Sequence, residues 1–194
     1  MIFKSLGFLT FLFFSTAFPR AITPAQSPAN SNSSRLEISE PLARALRHQL
    51  LVLPYYSVFD TIDFSLSGDT VTLTGQVLRP TLKTHAEAAV KSLEGVGSVV
   101  NNIEVLPRSA TDDELRREVY RVIFEDPELA RYAIQAVPPI HIIVKNGAVT
   151  LVGKVDKDSD IALATKEAKK VLGVASVQNL LTVRRIDSPV QVEK

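Results

Sequence analysis

The chain has 194 residues, of which 45% are hydrophobic, and its 22 Lys and Arg residues nearly balance 21 Asp and Glu, for a net charge of +1. A nucleic-acid-binding protein usually carries a marked basic excess to neutralise phosphates, so this class is disfavoured. The absence of cysteine excludes a disulfide framework, a thiol nucleophile and a cysteine-ligated zinc site.

The N-terminal segment has the layout of a secretory signal peptide. Lys4 precedes an apolar run over residues 6–14, and small residues follow that run, which is the usual order of a cationic, an apolar and a cleavage region. The run is shorter than the roughly 20 residues that span a bilayer comfortably, and an uncleaved membrane anchor is the alternative interpretation. Cleavage fits after Ala17 or after Ala25. We therefore predict a signal peptide over residues 1–25 and a mature protein that is soluble after export.

Two further segments are predicted to lie outside the folded part of the chain. Residues 26–40 are rich in Pro, Ser and Asn and contain few large apolar side chains. Such a segment buries too little surface to offset the entropy of ordering it, so we predict a flexible leader there. Residues 186–194 are predicted to form a C-terminal tail. The roughly 150 residues between these segments suffice for one ordinary domain or two small ones.

The folded part of the chain contains the same pattern twice. "VTLTGQV" at 71–77 matches "VTLVGKV" at 149–155 at five of seven positions, and "GVGSVVNNIEV" at 95–105 matches "GVASVQNLLTV" at 173–183 at six of eleven. Both pairs are 78 residues apart, so no net insertion separates them. An internal repeat that keeps its register predicts a tandem duplication.

Each copy, residues 41–107 and residues 112–185, is predicted to fold as αββαβ. A helix with apolar residues on one face comes first, and two strands of alternating polarity joined by a tight turn follow. In the second copy an Asn-Gly pair at residues 146–147 forms that turn, which is the strongest short hairpin signal. A second helix then leads to a third strand, predicted over residues 99–105 in the first copy. A right-handed crossover places both helices on one face of a three-stranded sheet, so the fold class is α+β with two tandem domains.

This order of motifs, in both copies, resembles the BON domain, named for bacterial osmotic-stress and nodulation proteins. The resemblance rests on the glycine-containing strand after the turn and on the Gly-Val and Val-x-Asn motifs after the second helix. The first copy departs from the pattern at its turn, which contains Gly68-Asp69, and its link from helix to strand is shorter. The second copy is therefore the closer match to the family.

The resemblance implies a non-catalytic binding module of the periplasm and cell envelope. The family is implicated in binding anionic phospholipid, so the implied partner is an anionic phospholipid membrane surface or an envelope protein. The alternative is a chaperone-like helper for exported proteins under osmotic or envelope stress, which the osmotically induced members suggest. No cofactor, nucleic acid or small-molecule substrate is expected.

The titratable residues indicate no catalytic or metal site, so the chain is not expected to be an enzyme. Catalysis needs a nucleophile, an acid–base pair or a metal held together in space. The histidines lie in different predicted elements without metal-ligand spacing: His48, His85 and His141. His141 alternates with inward-facing isoleucines, so it is predicted to lie on the outer face of its sheet.

A cluster of acids lies at the start of the last predicted helix. Asp156, Asp158 and Asp160 resemble part of a calcium loop. An EF-hand loop that began at Asp156 would require a glycine where Ile161 stands. Helix capping is therefore the predicted role of these acids.

Two repeated residue pairs are predicted to be structural. Gly75 and Gly153 occupy the same strand position in the two copies, and a strand glycine usually marks a bulge or a close backbone contact. Asn101 and Asn179 recur in the third strand between apolar neighbours, where an asparagine most simply bonds nearby backbone.

The first helix of the second copy contains the candidate lipid-binding site. Arg117, Arg121 and Phe124 follow one another at helical spacings of four and three, with Tyr120 beside them. A basic row with aromatic neighbours suits contact with anionic headgroups. The resemblance implies the same function, because some family members bind phospholipid through this helix. The alternative is that Tyr120 and Phe124 pack against the other copy.

The equivalent helix of the first copy is expected to contribute less to membrane binding. It contains Arg44 and Arg47, but it has no aromatic residue at the position that matches Tyr120.

Overall fold

A computed structural model describes residues 31–184, with side chains from Glu40 onward. The predicted signal peptide and the predicted C-terminal tail lie outside this part of the chain. The α-helices of the described part span Ser31–Leu51 (α1), Pro80–Lys91 (α2), Ala110–Phe124 (α3) and Asp158–Lys169 (α4). The strands span Thr61–Ser67 (β1), Thr70–Val77 (β2), Ser98–Asn101 (β3), Glu104–Val105 (β4), Ile140–Lys145 (β5), Ala148–Val155 (β6) and Ser176–Val183 (β7). A short 3₁₀ helix, Ala130–Ile134, lies between α3 and β5.

The first helix begins earlier than the sequence analysis predicts. α1 starts at Ser31, within the segment predicted to be a flexible leader, and Pro41 lies inside it. Farther along, α1 buries Leu46 and Leu50 on one face. Residues four apart lie on the same face of a helix, and this spacing predicts the helix from the sequence.

The sheet of the first domain has the strand order β1–β2–β3. β1 pairs antiparallel with β2, and β3 pairs parallel with β2. The predicted continuous third strand is interrupted, because β3 ends at Asn101 and pairing with β2 resumes only in β4, at Glu104. Ile103 lies in the interruption and is 1% exposed, so its side chain fills the core where the strand breaks.

The second domain repeats this arrangement with an unbroken third strand. Its sheet has the order β5–β6–β7, and β7 pairs parallel with β6 along all eight of its residues. In each domain the buried residues of two helices form one core with alternate strand residues, which places both helices on one face of the sheet. These findings confirm the predicted α+β fold of two tandem αββαβ domains.

The docking segment, residues 56–60 between α1 and β1, joins the two domains. Val58 is 7% exposed and belongs to the core of the second domain rather than to that of its own repeat. Its carbonyl oxygen accepts a hydrogen bond of 2.8 Å from the backbone N–H of Ile142 in β5. The first repeat therefore covers the outer edge of β5, where unpaired backbone groups would otherwise be exposed. The sequence analysis does not predict this contact.

Candidate functional site

A groove of about 420 Å³ lies where the docking segment meets the second domain. Its walls come from the docking segment, from α3 and from the link that precedes β5. The lining residues are Tyr56, Ser57, Val58, Phe59, Arg117, Tyr120, Ala136 and Pro138. Aromatic, aliphatic and small polar side chains thus surround one charged side chain, that of Arg117. A concave surface that combines apolar side chains with a placed charged group is a candidate binding site.

Two buried charged residues fix the orientation of α3. Asp112 accepts hydrogen bonds of 2.9 Å from the backbone N–H groups of Asn146 and Gly147, in the turn between β5 and β6. Arg116 donates a hydrogen bond of 2.6 Å to the carbonyl oxygen of Val144. Buried charges need such partners. These bonds, together with the burial of Leu115, Val119 and Ile123 in the core, determine which face of α3 points outward.

The two arginines of the candidate lipid-binding site differ in their surroundings. Arg121 donates hydrogen bonds to Glu118 at 3.0 Å and to Glu125 at 2.8 Å, and these carboxylates raise the pKa of Arg121. Arg117 is exposed and forms no ion pair with any residue that the structure describes. Because two acids already neutralise Arg121, Arg117 is the side chain of this pair that is better placed to attract an anion.

The two aromatic residues of the candidate site pack inside the protein to different extents. The ring of Tyr120 lies 6.1 Å from that of Phe59 and 4.7 Å from that of Phe124, between centroids. Phe124 is 7% exposed and belongs to the core of the second domain, whereas Tyr120 is half-buried. The structure thus brings Arg117 and Tyr120 together in the groove, with Arg121 and Phe124 outside its lining.

His141 takes part in the contact between the domains. Its neighbours Ile140 and Ile142 are fully buried in the core, and its own ring lies on the other side of the strand, where the docking segment covers it. Its Nδ1 lies 2.6 Å from the carbonyl oxygen of Asp60, and its ring centroid lies 5.7 Å from that of Tyr56. Burial lowers the pKa of His141 from its ordinary 6.5, against the raising influence of the Asp60 carbonyl and carboxylate.

We expect acid to weaken the contact between the domains through His141. Because the folded state depresses the pKa of His141, its contribution to stability is fully present above pH 6.5. That contribution falls as the pH drops from 6.5 through the depressed value. Urea midpoints measured from about pH 7.5 to about pH 5.5 should therefore decrease. His141→Asn, which keeps a donor but does not titrate, should flatten this dependence, whereas His85→Asn on exposed α2 surface should not. If the urea midpoint of His141→Asn still decreases with decreasing pH as that of the wild type does, other titrating groups cause the pH dependence.

The repeated glycines adopt backbone conformations that other residues rarely adopt. Gly75 has φ 123° and Gly153 has φ 138°. A Cβ at Gly75 would overlap the carbonyl oxygen of Thr61, and one at Gly153 would overlap that of Pro139. Each glycine therefore permits a close approach between the two strands of its hairpin.

The repeated asparagines connect the third strand of each domain to the helix above it. Asn179 donates to the carbonyl oxygen of Ile161 in α4 at 2.9 Å and accepts from the backbone N–H of Leu181 at 2.8 Å. Asn101 makes the same bonds to Lys83 at 3.0 Å and from Ile103 at 3.2 Å. Besides anchoring the helix, each amide satisfies a backbone N–H on the strand.

Of the clustered acids, Asp160 caps the start of α4. It is 1% exposed and accepts hydrogen bonds from the backbone N–H of Lys157 at 3.2 Å and from the Tyr132 hydroxyl at 2.6 Å. Burial raises its pKa, but the bonds from Tyr132 and Arg131 outweigh this and hold the pKa below its usual range. Asp156 lies 3.8 Å from Arg131. Among the described residues no group of His, Asp or Glu side chains has the arrangement of a metal site.

None of the helices within residues 31–184 combines the length and apolar character needed to cross a membrane.

Comparison with known proteins gives one family and a set of similar solved structures. The model of the BON domain matches the chain twice, at residues 42–107 and 111–185. No curated protein sequence matches the chain. A structure of CdsD, a structural protein of the Type III secretion system of Chlamydia trachomatis, is 15% identical over 74% of this chain and 92% of that chain, with a TM-score of 0.29. The C-terminal domain of CdsD is also 15% identical, over 74% of this chain and 98% of that chain, with a TM-score of 0.27.

Proposed function

The chain belongs to the BON-domain family, and we propose that it is a non-catalytic module of the cell envelope that attaches weakly to anionic phospholipid after export to the periplasm. The observation that carries this proposal is the position of Arg117. It is an exposed cation without an ion pair among the described residues, on the wall of a groove otherwise lined by aromatic and apolar or small side chains. A phosphate at Arg117 would leave the apolar part of a lipid against the rings of Tyr120 and Phe59.

The electrostatics of α3 support weak rather than tight attachment. Residues 110–126 contain six acidic side chains and three arginines, a net charge of −3. Arg116 is buried and Arg121 is held between two glutamates. Each cation near an anionic membrane surface contributes about 1 kcal/mol. Arg117 with a partial contribution from Arg121 therefore gives an attachment that salt can reverse.

We expect the mature protein to co-sediment with vesicles that contain anionic phospholipid, to be released at high salt, and to ignore zwitterionic vesicles. Arg117→Glu should abolish most of this binding, because it replaces attraction with repulsion at the groove. Arg121→Glu alone should have a smaller effect, since the charge of Arg121 is already compensated by Glu118 and Glu125. The double variant should lose binding while its melting temperature stays within a few degrees of the wild type.

A matched control for charge reversal is Lys166→Glu, which changes an exposed residue of α4 that does not line the groove. Its vesicle binding should equal that of the wild type. The site is wrong if the double variant at Arg117 and Arg121 binds as the wild type does, or if neutral vesicles bind equally well. If the double variant unfolds, the ion pairs of Arg121 within α3 support stability, and Arg117→Glu alone tests the site.

The chaperone-like function is the alternative and has a separate test. The mature protein should then suppress aggregation of an unfolded exported protein at stoichiometric amounts, in the absence of any vesicle. Suppression without vesicle binding would favour this alternative over the proposed function.

A further inference from the structure

The corner where α1 ends exposes a run of apolar side chains. Leu51 and Val52 are each 57% exposed, and Tyr55 is 69% exposed. Pro54 is also exposed, and only Leu53 among these five residues is buried. We call residues 51–55 the α1 corner. A contiguous patch of exposed apolar side chains often marks a surface that contacts a partner or a membrane.

The backbone at Tyr55 is strained, and its ring lies at the surface. Tyr55 has φ 69°, a left-handed conformation that a bulky residue rarely adopts. The guanidinium of Arg79 lies over the ring, 4.9 Å from its centroid. Strain of this kind persists where the surrounding structure maintains it and is concentrated at functional sites. The exposed ring is therefore held in a defined position beside a cation.

Basic side chains flank the α1 corner. Arg47 and His48 lie one helical turn before Leu51 and Val52, on the same side of the helix. Residues 41–59 contain no Asp or Glu; the acids that border this range are Glu40 and Asp60, and Asp60 is buried. The link after α3 in the second repeat has the opposite character, since it contains Glu125, Asp126 and Glu128. The charge pattern thus distinguishes the first repeat as the more favourable surface for an anionic partner.

We propose that the α1 corner is a second contact surface of this protein and that its partner is an anionic phospholipid bilayer. Leu51 and Val52 enter the boundary of the acyl chains, the Tyr55 ring lies at the headgroup level, and the flanking arginines meet phosphates. The inference rests on the proposed function, and it reverses the expectation that the first repeat contributes less to membrane binding.

The position of the α1 corner agrees with simultaneous use of both surfaces. Tyr56, the residue next to Tyr55, lines the groove that contains Arg117. Adjacent Cα atoms are about 3.8 Å apart, so the corner borders the groove. Exposed aliphatic side chains beside cations match the layered chemistry of a bilayer surface, apolar below and anionic above.

Insertion can be observed directly because the chain contains no tryptophan. Tyr55→Trp introduces the only tryptophan of the chain at the α1 corner, and its emission can be excited apart from that of the tyrosines. Its emission should shift to shorter wavelength with anionic vesicles and should be quenched by brominated acyl chains. Leu172→Trp, at a residue that is 94% exposed on the second domain, is the control and should keep the emission of a solvated indole. An unchanged Tyr55→Trp emission under conditions where the protein co-sediments would overturn the proposal and would favour a protein partner for this surface.

Binding measurements separate this inference from the proposed function. Replacing Leu51, Val52 and Tyr55 with serine should weaken vesicle binding by about tenfold or more, since the apolar contribution is lost. If the wild type binds, Arg117→Glu fails to bind and the triple variant binds as the wild type does, the inference is wrong and the proposed function stands. If the wild type binds no vesicles, both are wrong. Should the triple variant unfold, Val52→Glu, a single change at an exposed residue, gives the same comparison.

Discussion

Gly153→Val is expected to lower the free energy of unfolding of the second domain by about 2–6 kcal/mol, the sum of backbone strain and overpacking. Gly153 has φ 138°, and any Cβ there would overlap the carbonyl oxygen of Pro139. Gly153 lies opposite Ile140 in the hairpin of β5 and β6. The overlap therefore involves backbone, which cannot rotate away as a side chain can. The loss of free energy of unfolding can be measured by urea denaturation monitored by far-ultraviolet circular dichroism.

Gly147→Asn separates backbone strain from overlap. Gly147 also has a positive φ, 77°, but the nearest heavy atom to a Cβ there lies at 3.5 Å. Asparagine tolerates this conformation, so the cost should be about 1 kcal/mol or less relative to glycine. If Gly153→Val and Gly147→Asn have equal effects, overlap with the facing strand does not constrain Gly153. Gly75→Val should produce the corresponding loss in the first domain, because its Cβ would overlap Thr61.

The second large effect is expected from Val58→Asp, which places a carboxylate in the core of the neighbouring domain. Val58 is 7% exposed and packs with the buried residues of the second domain. An unpaired charge at a buried contact costs about 3–5 kcal/mol. The domains should separate, because undocking is the simplest way to return the carboxylate to water. Two unfolding transitions, a larger radius of gyration and faster proteolysis within residues 56–60 are the expected observations.

The second copy supplies the control for this variant. Ala136 lies in the link before β5, as Val58 lies in the link before β1, but Ala136 is exposed. Ala136→Asp should therefore leave the free energy of unfolding within about 0.5 kcal/mol of the wild type. A single wild-type transition in Val58→Asp would show that the docking segment does not hold the domains together.

The fold could be predicted because its signals are local. Alternation in β2 places Val71, Leu73 and Val77 on one face, and all three are fully buried. The period of a strand or a helix is set by backbone geometry, so it can be read within one segment. Because the two copies share one pattern, the helices and strands predicted for the second copy can also be predicted for the first. The break after Asn101 was not predictable in this way, because it accompanies the burial of Ile103 in a core built from distant segments.

The candidate site was only partly predictable, for a physical reason. Spacing along α3 groups Arg117 with Tyr120, and both line one groove. It does not show that Phe124 is 7% exposed or that Arg121 lies between two glutamates. The burial of Phe124 and the ion pairs of Arg121 depend on side-chain rotamers and on tertiary packing, which the spacing of residues along one helix does not determine.

By itself, the sequence determined the duplication, the αββαβ order and the family, because these depend on local periodicity and on motifs at a constant offset. Only the tertiary structure decided which residues stay exposed and which pack between the two repeats. The docking segment inserts Val58 into the other repeat, covers His141 and forms the groove, while Tyr55 stays exposed at the adjoining corner. Such contacts join residues far apart in the chain. They are stabilised only when both surfaces pack together, so neither segment alone contains the information that predicts them.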